Sequence, residues 1–325
     1  MIAISLLICT RDRASSLDRT LASVSRAAAE TPVPVEVVVV DNGSSDDTAA
    51  RLARWQERQC FPVRLVAEPL PGLACARNTG IAQARGGIIA MTDDDCVLDP
   101  GYFTLLAARF AQWPAPVVVG GRILLGDPAD LPVTIKLEDH PMVAAPGSFP
   151  GGFVMGANLA FTRDVVERVG PFDTRFGAGA RFAAAEDTDF LFRAMGCGIP
   201  VRYDPYVVVS HHHGRRSRTE LTTLMAGYAL GDGALYAKHL LADGRIARAL
   251  RKDVWDLAKD LAGGPRPFAA IRYFHAFRLW MIARGFVRYL ISRGHGAPRT
   301  DSISPDRVTH PAPAVPVRPP AARSR

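Results

Sequence analysis

Residues 35–40 read VEVVVV, five valines interrupted only by Glu36. A run that β-branched, with no alternation of polar and apolar residues, fits a strand covered on both faces. Such strands occur in parallel sheets sandwiched by helices, so the neighbours must supply helices in alternation. They do. Residues 2–9 form an apolar run of strand length, and Leu17, Leu21, Val24 and Ala28 follow helical spacing with Ser15 or Ser16 as N-cap. A helix from about Asp47, a strand at 63–67, a helix at 74–84 stopped by Gly86-Gly87, and a strand at 87–92 continue the pattern. The expected class is α/β, a Rossmann-like βαβ arrangement with a mostly parallel central sheet.

The alternation then loosens. A helix at 100–112 and a strand at 117–120 precede a Pro- and Gly-bearing stretch, 126–152, whose length marks it as functional. A strand at 157–162, helices at 164–169 and 187–195, and strands at 201–203 and 206–210 follow. Beyond Gly214 the pattern is helical to about Ser292. The predicted organisation is a domain over 1–215, a helical extension over 216–297 and a Pro/Arg-rich disordered tail over 298–325, which holds seven of the 25 prolines. The 325 residues are 48% hydrophobic, which excludes a disordered chain. The net charge of +7 is unevenly placed: residues 245–325 carry 16 basic and 5 acidic side chains, so the body is slightly acidic. Bulk positive charge therefore does not recruit a ligand to the body, and nucleic acid is not an expected partner. Five scattered cysteines without a C-x-x-C fit reduced thiols. The N-terminus lacks the features of a signal peptide, and no window has the ~18 apolar residues of a spanning helix. The expected location is cytoplasmic, with any membrane contact peripheral.

Chemistry concentrates at strand ends. Asp93-Asp94-Asp95 closes the strand at 87–92, where open α/β sheets bind ligands. Three adjacent carboxylates need a cation or donors, and oxygen ligands suit Mg²⁺ or Mn²⁺; the plain alternative is a solvated helix cap. Asp41 closes the strand at 35–40, either as part of a tight turn or as an acceptor for a base or ribose. Arg77 lies near a helix start, facing solvent or an anionic group. Glu186-Asp187 opens a helix after a Gly-containing loop; the acidic pair complements the helix dipole, or Asp187 acts as a general base. Alternation puts His211 and His213 on one face, as a metal ligand or phosphate donor. No G-x-x-x-x-G-K and no G-x-G-x-x-G after a strand is present, so P-loop and dinucleotide-dehydrogenase chemistry are excluded.

Taken in order, SLLICTRDR, VEVVVVDNGSSDDT, PGLACARNTGIAQARGGIIAMTDDDC, GGFVMGANLAF, GPFD and EDTDFLFRAMGCGIPVRYDP resemble glycosyltransferase family 2, inverting nucleotide-sugar transferases of the GT-A fold. The likeness spans residues 5 to about 213. It implies that Thr10, Arg11, Asp41, Arg77, Asp93 and Asp94 bind the nucleotide sugar. It also implies that Asp95 and Asp93, with His211 or His213, hold Mn²⁺ or Mg²⁺. Asp187 would be the catalytic base, supported by Glu186. The partners implied are a nucleoside-diphosphate sugar and a glycan, glycolipid or protein acceptor in envelope or exported glycan synthesis. A sugar-phosphate nucleotidyltransferase is the enzymatic alternative, but Thr10-Arg11-Asp12-Arg13 lacks its Gly-rich loop. A non-catalytic sugar-nucleotide-binding subunit would be expected to have lost these carboxylates.

The extension interleaves aromatics and arginines over 268–293. This pattern fits either a helix packed on the body with snorkelling arginines or an interfacial helix at an anionic membrane surface.

Overall fold

The computed structural model describes residues 2–263, 267–268 and 271–293. The expected alternation is present: β1 (Ile4–Thr10), α1 (Leu17–Ala29), β2 (Val35–Asp41), α2 (Thr48–Gln56), β3 (Val63–Ala67), α3 (Leu73–Gln83) and β4 (Ile88–Asp93). These four strands are parallel in the order β3-β2-β1-β4. Six of the seven β2 residues are buried, as a strand covered on both faces requires. Register aligns the strand ends, with Thr10 opposite Asp41 and Cys9 opposite Asp93. Chemistry at the end of any one strand is thereby delivered to a common edge.

The second half is mixed. It comprises β5 (Cys96–Leu98), α4 (Tyr102–Gln112), β6 (Val118–Leu125), β7 (Met142–Val143), β8 (Asn158–Thr162), α5 (Arg163–Val169), α6 (Glu186–Gly196) and β9 (Val201–His211). The path continues β4-β8-β6-β9-β5, with β8 antiparallel to β4 and β6, and β7 paired to β9. The two strands expected at 201–203 and 206–210 are one strand. Asp204 pairs with Gly121 and Val208 with Arg122, so residues 205–207 bulge out around Pro205, which has no N–H to give the ladder. The stretch 126–152 also contains β7, and Lys136 bridges to Ile123.

Two clusters of buried side chains cover the sheet faces. A third joins the extension to the body: α7 (Arg218–His239), α8 (Gly244–Leu261) and α9 (Phe274–Arg293) pack with Phe176, Phe182 and Phe192. Lys238 and His239 of α7 also bond Asp189 of α6 at 2.7 and 2.8 Å. The extension therefore shares a core with the body, and the sheet gives way to helices between His211 and Arg218. A Cβ on Gly233 would collide with the Ile282 carbonyl, and one on Gly285 with the Leu230 carbonyl, so α7 and α9 meet backbone to backbone. Helix α9 begins at Phe274 rather than 268. The tail at 298–325 lies outside the described residues.

Candidate active site

A cleft of about 1170 Å³ opens at the ends of β1 and β4 and runs beneath α7, α8 and α9. Thr10, Arg11, Arg77, Asp93, Asp94, Asp95, Glu186, Asp187 and His211 all line it. Residues up to two hundred positions apart are thus gathered at one edge of the sheet.

Three cations organise the carboxylates. Arg77 is buried on α3, bonds Glu186 Oε1 at 2.8 Å and lies 3.7 Å from Asp93 Oδ1. A Cβ on Gly156 would press against its guanidinium, so that glycine makes room for it. Arg13 lies 3.3 Å from Asp94 Oδ1 and 3.4 Å from Asp95 Oδ2. Arg215 lines the cleft with a buried Nη1 that has no hydrogen-bond partner among the described residues. Burial pushes the Asp93 carboxyl up against the pull of Arg77, and pushes Asp94 up to about 6 against Arg13. Burial and the adjacent Asp187 push Glu186 up to about 7, with Arg77 opposing. Three of the five carboxylates are thus held above their ordinary range even with arginines beside them, the condition that a cationic ligand relieves.

Asp95 behaves differently. Burial would raise its carboxyl, but His211 and then Arg13 outweigh burial and hold it below the usual range. Strand β5 sets this contact by pairing Cys96 with His211, which brings Asp95 Oδ1 to 3.1 Å from His211 Nε2. Among the described residues that buried oxygen lacks a partner of hydrogen-bond geometry. A buried orphaned carboxylate oxygen beside an imidazole is a donor set that would suit an Mn²⁺-type ion, held by Asp95 and His211. The Cys96 thiol lies in the same cluster, and burial holds its pKa well above the ordinary value.

His213 is a correction. It does share the side of His211, with ring centroids 5.3 Å apart, but it does not line the cleft. Its Nε2 meets the Leu131 carbonyl at 3.0 Å and its Nδ1 accepts from Arg215 N–H at 3.0 Å. Both nitrogens are used, so His213 supports the neighbouring loop and has none left for a metal. Asp41 also stands outside the cleft lining: its Oδ1 accepts from Ser44 N–H at 2.9 Å to close the turn. Its neighbour Asn42 lines the cleft, held by Glu68 and Leu70 carbonyls and by Gly72 N–H.

Asp187 is half-buried at the start of α6. Gly156 N–H donates to Oδ2 at 2.9 Å and Thr188 N–H to Oδ1 at 2.6 Å, which fixes the carboxylate plane and leaves lone pairs for a proton. The preceding Ala185 holds a left-handed backbone (φ 71°), a costly conformation for a residue with a Cβ. Sequence reading passed over Arg13, Asn42, Gly156 and Arg215. Arg13 and Arg215 were visible only as basic residues beside the motifs.

A family model described as glycosyl transferase family 2 matches residues 5–170, half of the chain. The chain belongs to this family. It is a nucleotide-sugar glycosyltransferase, and the mixed sheet with the helical extension is a GT-A-like fold. A glucosyl-dolichyl phosphate glucuronosyltransferase of Haloferax volcanii is 27% identical over 64% of this chain and 68% of its own length. A succinoglycan biosynthesis protein, ExoO, of Rhizobium meliloti is 27% identical over 89% of this chain and 90% of its own. Among solved structures, a mannosyltransferase from Pyrobaculum calidifontis in complex with GDP-Man and Mn²⁺ superposes with a TM-score of 0.57. It is 22% identical and the match covers 89% of this chain and 86% of that one.

Proposed function

We propose that this family 2 glycosyltransferase carries out metal-dependent, inverting transfer of a sugar from a nucleoside diphosphate to an acceptor hydroxyl in envelope or exported glycan synthesis. The observation that carries the reading is the shared cleft. It holds a cation-ready pair, Asp95 and His211, and a separately positioned carboxylate, Asp187, on α6. The two tasks of the reaction need groups of these two kinds. The leaving nucleoside diphosphate accumulates charge, which a divalent cation held by Asp95 and His211, with Asp93 nearby, would stabilise as a Lewis acid. The unpartnered Arg215 Nη1 supplies a further donor for the phosphates, and Thr10, Arg11 and Asp94 border the same end. Asn42 borders the cleft just past β2, where the base and ribose would lie, and Asp41 shapes that turn behind it. Asp187 takes the acceptor proton, its plane held by Gly156 and Thr188 N–H. Glu186, tied to Arg77, positions α6. The retained carboxylates argue against a non-catalytic subunit, and Thr10-Arg11-Asp12-Arg13, which lacks a Gly-rich loop, argues against a nucleotidyltransferase.

A donor screen tests this: UDP- and GDP-sugars, with Mn²⁺ or Mg²⁺, read by nucleotide release. Release from at least one donor, stimulated by the cation and suppressed in Asp187→Asn, is the expected result. Release indifferent to both overturns the mechanism.

We also infer that the enzyme works at an anionic membrane surface. Among the described residues no helix is long and apolar enough to cross a membrane. Residues 261–300 contain no Asp or Glu and seven arginines. Helix α9 exposes Trp280, Val287, Leu290 and Ile291 beside Arg284 and Arg288, while Arg278 turns inward to Asp232 and Asp253. That outward face matches the chemistry of an interfacial helix. Flotation with phosphatidylglycerol vesicles should be salt-sensitive and weakened in Trp280→Glu. Equal flotation of both proteins overturns the inference.

A further inference from the structure

The cleft does not end at Asp187. It continues between α7, α8 and α9, where Tyr228, Asp232, Tyr236, Asp253 and Arg278 line it. At about 1170 Å³ it exceeds the ~300–1,000 Å³ that houses one small ligand, so a second substrate has room beside a nucleotide sugar. Its walls there are chemically distinctive. Arg278 reaches Asp232 at 2.9 Å and Asp253 at 3.1 Å, and Tyr236 O–H donates to the other Asp253 oxygen at 2.8 Å. One guanidinium thus serves two carboxylates, and burial raises the Asp232 carboxyl despite it.

The basic groups of α8 that border this part are engaged. Arg245 lies over the Phe192 ring and binds Asp243, Lys252 and Lys259 bind Asp256, and Arg248 donates to the Gly147 carbonyl. The inner wall is left with surplus acceptor lone pairs. An anion entering here meets two carboxylates sharing one cation. A polyol brings O–H donors for the carboxylates and oxygens for the guanidinium. Tyr228, 39% exposed, precedes Asp232 by one helical turn and offers a ring face for apolar C–H groups. Both residues lie within the electrostatic reach of Asp187.

We propose that this inner part of the cleft is the acceptor subsite and that it takes an uncharged sugar ring, gripped through its hydroxyls by Asp232, Asp253 and Arg278 and stacked on Tyr228. The acceptor unit next to the base is then a neutral sugar and not a phosphate. This rests on the transferase reading of the cleft.

The test uses the full-length protein with Mn²⁺ and UDP or GDP. Methyl glycosides of glucose, galactose, mannose and N-acetylglucosamine, and separately inorganic phosphate, are titrated by saturation-transfer NMR. At least one hexoside binds, phosphate does not displace it, and Asp232→Asn and Tyr228→Ala each weaken it about fivefold or more. Nucleotide affinity in both variants stays within about twofold of wild type, which a general loss of folding would not allow. Tyr228→Ala, at a partly exposed position, keeps the test valid if Asp232→Asn misfolds. Overturning results are no hexoside binding, hexoside binding unchanged in the variants, or displacement by phosphate. Wild-type protein that fails to bind either nucleotide with Mn²⁺ strikes the transferase reading instead, and this proposal with it.

Discussion

At one end of the cleft, β1, β2 and β4 end in register, so backbone hydrogen bonds set where Thr10, Asp41 and Asp93 stand. At the other end, Tyr228, Asp232, Asp253 and Arg278 come from three helices, and their spacing depends on how those helices pack. The first end is built on the most cooperative element of the fold, in a sheet sealed by two apolar layers. The second rests on two smaller apolar clusters and a few ion pairs. A defect at the first end should therefore change chemistry while the fold survives. A defect at the second should reach the fold as well.

The largest expected effect breaks chemistry alone. Asp187→Asn lowers turnover ~10²–10⁴-fold, in line with loss of a general base, and leaves nucleotide affinity unchanged by calorimetry. Wild-type turnover would remove Asp187 from the mechanism. Next, Asp95→Ala should cut the Mn²⁺ enhancement of nucleotide affinity by at least about tenfold, while thermal stability stays close to wild type. An enhancement that survives would move the cation elsewhere.

Gly285→Ala addresses the helical end. The added methyl has no room against the Leu230 carbonyl, so we expect a loss of ~1–3 kcal/mol and a melting temperature lower by several degrees. Nucleotide binding by the folded protein should persist. An unchanged melting temperature would show that the helices yield more easily than their contact implies.

The smallest effect is pH-dependent. Asp173 binds Arg175 at 2.6 Å and Lys238 at 2.8 Å, and these partners outweigh burial to lower its carboxyl to about 2 from 3.8. A depressed carboxylate stabilises the fold above its unfolded pKa and loses that contribution as pH falls through the folded one. Asp173→Asn should therefore be less stable than wild type at pH 7, with the gap closing between about pH 4 and pH 2 in urea titrations. A gap constant across that window would mean the contact is not electrostatic.

The same contrast explains what the sequence could reveal. Chemistry at the end of a strand or the start of a helix is written in adjacent letters, so Asp93-Asp94-Asp95 and Glu186-Asp187 are visible in the sequence alone. The β2 strand was legible because nothing but two-sided burial accounts for its valines. Strand β5, three residues long, carried no period to detect, yet it decides that Asp95 meets His211. The strand expected at 117–120 ends at Gly120, but β6 runs on to Leu125. Gly120 and Gly121 lie inside it and make room for Val154 and Asn158. For His213, alternation gave the side correctly but not the carbonyl and N–H that occupy its ring. The acceptor end was illegible because its members sit on faces of separate helices, and no local pattern links Asp232 to Arg278.

The glycine contact between α7 and α9 has a consequence for how this protein can diversify. Main-chain atoms set the distance between those helices, so it does not depend on which side chains face the cleft. Positions 228 on one helix and 275 on the other line the cleft outside the Asp232–Arg278 ion pair and the apolar cluster that holds Phe274, so they can be exchanged with that contact intact. A library confined to these two positions would sample new acceptor preferences on a fixed frame and leave the strand ends, and with them the choice of donor, untouched.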